Sequence, residues 1–195
     1  MLLYFIRHGQ TDWNKDMRMQ GQSDIPLNEN GRESAIEAGK TLANTNIDLA
    51  FSSPLKRAKE TAELVLAGRD IPIIEDKRIE EICFGICEGM RGRDENGQPV
   101  GCFAEFFAHP EQYKAPENGE DAKMLCARTW NFLEDITTRE ELQDKSILIA
   151  THGAALQSMM LWVNKQPICD FWKSGLKKNL FCNKGRSKRM VRLRY

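Results

Sequence analysis

Leu2-Leu3-Tyr4-Phe5-Ile6-Arg7-His8-Gly9 sets five apolar residues ahead of a cation, an imidazole and a glycine. A continuous apolar run of this length fits a strand covered on both faces, as in a parallel sheet. A buried helical turn has the same pattern, but Gly9 and the polar Gln10-Thr11-Asp12 end the run too early for a helix. Ligands of open α/β sheets bind just beyond the carboxyl ends of strands, which is where Arg7 and His8 would stand.

The same arrangement returns near the other end. Ser146-Ile147-Leu148-Ile149-Ala150 is a second buried-strand run, and it closes on Thr151-His152-Gly153. The chain has only three histidines, and two of them end apolar strands just before a glycine. Between the two runs, Ile47 to Ser53 reads as a further strand, and Pro54 opens a helix carrying Arg57, since proline suits a first helical turn. Ser52-Ser53 followed by a helix amino terminus suggests free N–H groups offered to an anion. Ile71-Pro72-Ile73-Ile74-Glu75 reads as an edge strand because of Pro72. The pattern implies a three-layer α/β fold, a mostly parallel central sheet with helices on both faces.

The connections fill in around these strands. Gln10 to Pro26 reads as a long polar loop, and loops of that length are usually functional. Asn28 is placed to cap a helix running to about Asn44. Ala122 to about Thr138 spaces Leu125, Thr129, Phe132, Leu133 and Ile136 on one helical stripe, read as core, and Ala154 to about Val163 is a further helix. Met90 to Asp121 is irregular and rich in Gly, Pro and aromatics, with Phe103, Phe106 and Phe107 on one apolar turn. It reads as an excursion covering the site from within a single domain spanning residues 1–195. The tail reads as two strands joined at Asn183-Lys184-Gly185, with Arg189 to Tyr195 alternating as a half-exposed edge.

Composition narrows the function classes. Twenty-eight Lys+Arg balance 28 Asp+Glu, which argues against a nucleic-acid or membrane partner. No apolar run approaches membrane-spanning length, and no basic region with a cleavage site precedes the first strand. The six cysteines form no C-x-x-C pair. Cys83 and Cys87 could ligate a metal with a distant partner, yet no nearby histidine completes a zinc set. Reduced thiols in a cytoplasmic protein, with no metal and no cofactor, are the expectation.

If the strands are parallel neighbours, two imidazoles and two guanidiniums meet in one pocket. Such a pocket suits a dianion, and arginine's planar fork matches phosphate bidentately. One imidazole can then attack phosphorus, provided its attacking nitrogen is unprotonated and the other gives its proton to a backbone carbonyl. Neighbouring guanidiniums disfavour a further positive charge and keep that imidazole neutral. Fixed cations around the equatorial oxygens can do the work of a metal ion.

At this point the chain resembles the histidine phosphatase superfamily, which includes the cofactor-dependent phosphoglycerate mutases. The matching stretches are Arg7-His8-Gly9-Gln10-Thr11-Asp12-Trp13-Asn14, Asp24-Ile25-Pro26-Leu27 with Gly31, and Ser52-Ser53-Pro54-Leu55-Lys56-Arg57-Ala58 with Glu60-Thr61-Ala62. The block Glu81…Phe84-Gly85…Glu88-Gly89 and Thr151-His152-Gly153 complete the series, in family order through most of the chain. The resemblance implies that His8 is the nucleophile that becomes phosphohistidine. It implies that Arg7, Arg57 and His152 clamp the phosphate with help from Asn14, and that Gln20 contacts phosphate or substrate. Glu81 takes the role of proton donor to the leaving alcohol. Glu80 and Glu88 are alternatives, and spacing to Phe84-Gly85 favours Glu81.

Within the family, the short chain and the run from Phe107 through Pro110, Tyr113, Ala115-Pro116 to Gly119-Glu120 look most like small broad-specificity phosphatases acting on small phosphomonoesters. Mutases are similar but longer, with a fuller lid. The residues after His152-Gly153 depart from many members, with Ala154, Ala155 and Gln157 in place of a second glycine and a later arginine. Arg91 and Arg93 could grip a second anionic group or stand as solvated charges, and His109 reads as a surface loop residue.

Overall fold

The computed structural model describes residues 1–173 and 179–183. The turn expected at Asn183-Lys184-Gly185 and the edge strand expected from Arg189 to Tyr195 lie, beyond Asn183, outside the described residues.

Five strands form one sheet: β1 (Leu2–Arg7), β2 (Leu49–Ser52), β3 (Ile73–Glu75), β4 (Ser146–Thr151) and β5 (Asn179–Asn183), in the order β3-β2-β4-β1-β5. The first four are parallel, and β5 runs antiparallel along β1. The apolar run of β1 is explained by burial on both faces. Leu3 and Phe5 pack into one core cluster with Phe132, Leu133, Leu156 and Met159. Ile6 enters a second cluster with Ala35, Ala38, Ala62 and Val65. Four helices carry those partners: α2 (Glu29–Leu42) and α3 (Lys56–Val65) on one face, α5 (Ala122–Thr138) and α6 (Gly153–Asn164) on the other.

Register is what matters for the site. β1 and β4 are neighbours, with Arg7 opposite Thr151, and His8 N–H donates to Thr151 O at 2.9 Å. Residues far apart in sequence therefore leave adjacent strands at the same height.

Local chemistry sets most helix ends as expected. Asn28 accepts from Gly31 N–H to start α2, and Asp121 accepts from Met124 N–H to start α5. All five residues of the α5 stripe are buried. Two expectations shift. The polar segment after Gly9 contains a short helix, α1 (Asp12–Lys15), closed by a capping box between Thr11 and Asn14. Pro54 does not begin α3, because Leu55 stays extended as its cap and the helix starts at Lys56. Serine and aspartate supply the acceptors there: Leu55 N–H donates to Ser53 Oγ, and Lys56 N–H to Asp24 Oδ1.

The excursion holds a 3₁₀ turn (Gly101–Phe103) running into α4 (Ala104–Ala108). Phe103 and Phe106 are buried in the larger core cluster, and Phe106 meets the rings of Phe84, Tyr113 and Trp172 at 5.1–5.5 Å. Burying a phenylalanine of this kind contributes roughly 1.5–3 kcal/mol, enough to hold an otherwise irregular segment. His109 is exposed beyond α4.

Two glycines let α2 approach the end of β1. A Cβ on Gly9 would lie 2.4 Å from Gly31 O, and one on Gly31 would lie 2.1 Å from Gln10 O. Both obstacles are backbone, so no side chain can move aside. Alanine would bring a helix-propensity gain of at most about 1 kcal/mol, against overpacking that costs typically about 1–3 kcal/mol. Gly31→Ala is therefore expected to lower unfolding free energy by about 1–2 kcal/mol. Urea denaturation checks this, and a variant as stable as wild type would mean the backbones are not in forced contact.

Candidate active site

At the carboxyl end of the sheet, the rings of His8 and His152 face each other with centroids 5.2 Å apart. Both are buried. His8 Nδ1 lies 2.7 Å from Gly9 O. A carbonyl can only accept, so Nδ1 carries the proton and Nε2 has its lone pair free. This is the tautomer a nitrogen nucleophile needs. His152 Nε2 lies 2.8 Å from Ser53 Oγ, leaving its buried Nδ1 without a partner.

Arg57, on the first turn of α3, is fully buried. Its Nη1 donates to Ser23 O at 2.7 Å and its Nη2 to Gly21 O at 2.6 Å. Those carbonyls come from the loop that the capped α1 turns back toward the sheet. Arg7 is half-buried at the end of β1. Four buried side-chain polar atoms lack a partner among the described residues, and three of them are Arg7 Nε, Arg57 Nε and His152 Nδ1. Buried polar atoms are normally satisfied. Three such orphans on converging side chains mark a place built for an anion.

The electrostatics agree with that reading. Burial, and then the charges of Arg7 and Arg57, hold His8 well below the ordinary imidazole range, outweighing the Gly9 carbonyl that pulls the other way. Burial and Arg57 do the same to His152. Burial pulls Arg57 down to about 10, with Glu81, Asp24 and Glu88 opposing it, so it remains a cation at neutral pH. Arg7 is lowered by burial and raised in part by Glu81. The site thus presents two cations and two neutral imidazoles.

Glu81 lines the same cavity as Arg7 and Asn14. Its Oε1 accepts from Ile82 and Ala155 N–H, and its Oε2 from Ala154 N–H at 3.1 Å, so it caps the start of α6. Its loop is held from behind by Arg128 on α5, which donates to the carbonyls of Arg78, Glu80 and Glu81 and pairs through Nε and Nη2 with Glu120. Arg128 is a positioning residue that sequence reasoning missed; nothing in a core-facing helical stripe points to it.

The other carboxylates serve elsewhere. Glu88 is a clasp, taking the N–H groups of Gln22, Ser23 and Phe84. Glu80 is half-buried and does not line the cavity that holds Glu81. Asn14 lines the site, and its Oδ1 accepts from Thr11 N–H at 3.2 Å. Gln20 is buried behind Thr11, accepting its hydroxyl at 3.0 Å, and is not among the residues lining the cavities around His8 and Glu81.

The helix amino termini at the site are partly taken by the chain's own carboxylates: Lys56 N–H at the start of α3 goes to Asp24, and the N–H groups of Ala154 and Ala155, the second and third residues of α6, go to Glu81. Of the two later arginines, Arg93 lines the cavity whereas Arg91 is exposed, and Arg18 joins Arg93 there unforeseen. Cys83, Cys87, Cys102, Cys126 and Cys169 are free thiols, and among the described residues no group of three or more His, Cys, Asp or Glu could hold a metal ion.

Residues 3–184 match the family model of the histidine phosphatase superfamily, branch 1. The chain belongs to the histidine phosphatase superfamily. A 2,3-bisphosphoglycerate-dependent phosphoglycerate mutase of Cytophaga hutchinsonii is 32% identical over 167 residues, covering 84% of this chain and 78% of the mutase. Among solved structures, Bacillus stearothermophilus YhfR superposes with a TM-score of 0.81 at 34% identity, over 92% of this chain and 89% of that one. A mycobacterial glucosyl-3-phosphoglycerate phosphatase, solved with VO3, gives a TM-score of 0.79 at 26% identity, over 92% and 91%. Superfamily membership and the α/β architecture thus bear out the expected family and fold.

Two imidazoles held neutral have a cost at acid pH. Below about 6.5 the unfolded chain binds protons that these buried rings refuse, so stability falls with pH, by at most about 1.4 kcal/mol per pH unit per ring. We expect wild type to lose more stability than His152→Asn between pH 7 and 5. Urea midpoints at the two pH values measure the difference. Parallel losses would show that His152 protonates as readily folded as unfolded.

Proposed function

We propose that the chain is a phosphomonoester hydrolase that turns over small-molecule substrates through a phosphohistidine at His8. The observation that carries this reading is the His8 tautomer: Nδ1–H is spent on Gly9 O, so Nε2 keeps a free lone pair in a ring that neighbours Arg7, Arg57 and His152, each with an unpartnered buried nitrogen. A phosphoryl group seated on those donors has its equatorial charge met by fixed cations, by His152 Nδ1–H and by the Asn14 amide. Ser53 donates its hydroxyl proton to His152 Nε2, which keeps the proton on Nδ1. No metal is required in this scheme, because the guanidiniums carry the neutralising charge.

In the first step, the His8 Nε2 lone pair forms a bond to phosphorus as the bond to the alcohol oxygen breaks. Glu81 gives that oxygen its proton. A monoester has its second ionisation near 6 and enters partly as a monoanion, so it brings a proton into the site with it. The imidazole becomes positive as it is phosphorylated, and the Gly9 carbonyl accepting from Nδ1–H offsets that charge. In the second step, water attacks phosphorus and yields a proton to Glu81. The P–N bond breaks, its electron pair returns to Nε2, and inorganic phosphate leaves. Arg128 keeps Glu81 in reach throughout by fixing the carbonyls of its loop.

The mutase relative favours a second reading, in which the phosphoryl group returns to another hydroxyl of a glycerate. Hydrolysis is preferred because the phosphatase neighbour superposes over nearly the whole of both chains and was solved with an oxyanion. The apolar walls of the cavity beyond Glu81 also suit an alcohol other than glycerate. The free thiols support a reducing, cytoplasmic setting.

The direct test uses labelled phosphomonoester and a chemical quench. Wild type should trap an acid-labile, base-stable phosphoprotein that His8→Ala does not form, and turnover of His8→Ala should fall by about 10⁴ or more, as for loss of a nucleophile. An active wild type with no trapped adduct would falsify the mechanism. With phosphoglycerate as substrate, release of free phosphate should outrun interconversion of its positional isomers. The reverse order would make the chain a mutase.

The nucleophile also sets the pH profile. Because His8 is held below the ordinary imidazole range, the acid limb of kcat/KM should lie well below 6.5. A limb near 6.5 would mean that the guanidiniums do not keep this ring neutral.

A further inference from the structure

Next to the phosphate-binding groups lies a cavity of about 200 Å³. Arg7, Asn14 and Glu81 are among the residues that line it. The rest of its lining comes from Phe84, Phe106, Phe107, Trp172 and small or sulfur-bearing residues, with Arg18 and Arg93 as the further charges. An apolar cavity of about 150 Å³ takes one benzene ring, so this space has room for a ring with one substituent.

The walls are held in place. Trp172 Nε1–H donates to Phe106 O at 2.7 Å, and its ring meets Phe107 at 5.2 Å between centroids. Arg93 lies over the Phe107 face at 4.6 Å, and its Nη1 donates to Gly97 O at 2.7 Å. Arg18 Nη1 donates to Gly89 O. Arg32, Arg78, Arg128 and Arg139 are all paired with carboxylates, but among the described residues neither Arg18 nor Arg93 takes part in an ion pair. Two guanidiniums fixed by carbonyls at a cavity wall retain donors for an outside anion.

Resting on the hydrolase reading above, we propose that this cavity receives the alcohol half of the substrate, and that the favoured alcohol is a single flat ring bearing a carboxylate. The phosphate sits on Arg7, Arg57 and His152. The ring lies against Phe107 and Trp172, and the carboxylate meets Arg18 and Arg93. A sugar of the same size fits less well, because its hydroxyls would face aromatic walls without partners. Arg93 and Arg18 are thus specificity residues for the leaving group.

The experiment compares kcat/KM for benzyl phosphate, 4-carboxybenzyl phosphate and its neutral 4-carbamoyl isostere, in which the methylene insulates the leaving oxygen from the substituent. The carboxylate should be preferred over the carbamoyl ester by about tenfold or more, mainly through KM, as expected for one charge-assisted contact. In Arg93→Met the ratio should shrink severalfold, and in the Arg18→Met/Arg93→Met double variant it should approach unity. The carbamoyl ester serves as the internal control for each preparation, so loss of fold is not mistaken for loss of preference. Turnover of all three esters with no preference in wild type, or a preference that survives the double variant, overturns this inference and leaves the hydrolase reading standing. Turnover of none overturns both.

Discussion

Burying positive charge without a carboxylate hydrogen-bonded to it is the constraint that organises this molecule. Arg57 is wholly removed from water, and an isolated charge in that position is costly unless paired or hydrogen-bonded. The chain gives the hydrogen bonds of this guanidinium to backbone, while Glu81, Asp24 and Glu88 offset its burial through charge alone. Gly21 O and Ser23 O take both terminal nitrogens of Arg57. Carbonyls offset the cation only in part, so its positive field is kept for a ligand. A carboxylate hydrogen-bonded in the same place would neutralise most of that field.

That choice determines what the surrounding loops must do. The two carbonyls belong to a segment with no regular structure, so something has to fix it. Glu88 does so by gathering the N–H groups of Gln22, Ser23 and Phe84. Arg128 with Glu120 does the same for the Glu80–Cys83 loop. Neither device touches the anion site directly. Each spends a charged side chain on orienting backbone, and the geometry at His8 and Glu81 rests on both.

The sequence made the strands and their ends legible because burial on both faces leaves a plain signature, seen in Leu2–Arg7 and Ser146–Thr151. The parallel register then joins Arg7, His8 and His152 with no further assumption. The tautomer of His8 was also foreseeable, because the nucleophile role expected for it needs one ring nitrogen free. Arg128 was not. Its guanidinium works through carbonyls of residues some fifty positions away in the chain, and carbonyls leave no trace in composition or spacing. Arg18 was hidden for a similar reason: it reaches the cavity wall through the turn after α1, and that turn depends on a capping box inside what reads as a polar loop.

The helix amino termini show how the site divides its work between backbone and side chains. A strand, a pair of serines and a helix start suggest an anion seated on free N–H groups. Part of each terminus at the site is taken by a carboxylate of the chain itself, Asp24 on α3 and Glu81 on α6. Backbone dipoles bind any anion of suitable size, and they do so equally before and after reaction. Guanidiniums arranged around a tetrahedral centre discriminate by shape, and their hold strengthens as charge spreads over the equatorial oxygens. On the reading proposed above, the guanidiniums near His8 are the groups that can tell one state of a phosphoryl group from another. Glu81, the carboxylate proposed for proton transfer, is held by backbone N–H groups on a support that does not depend on a ligand being present.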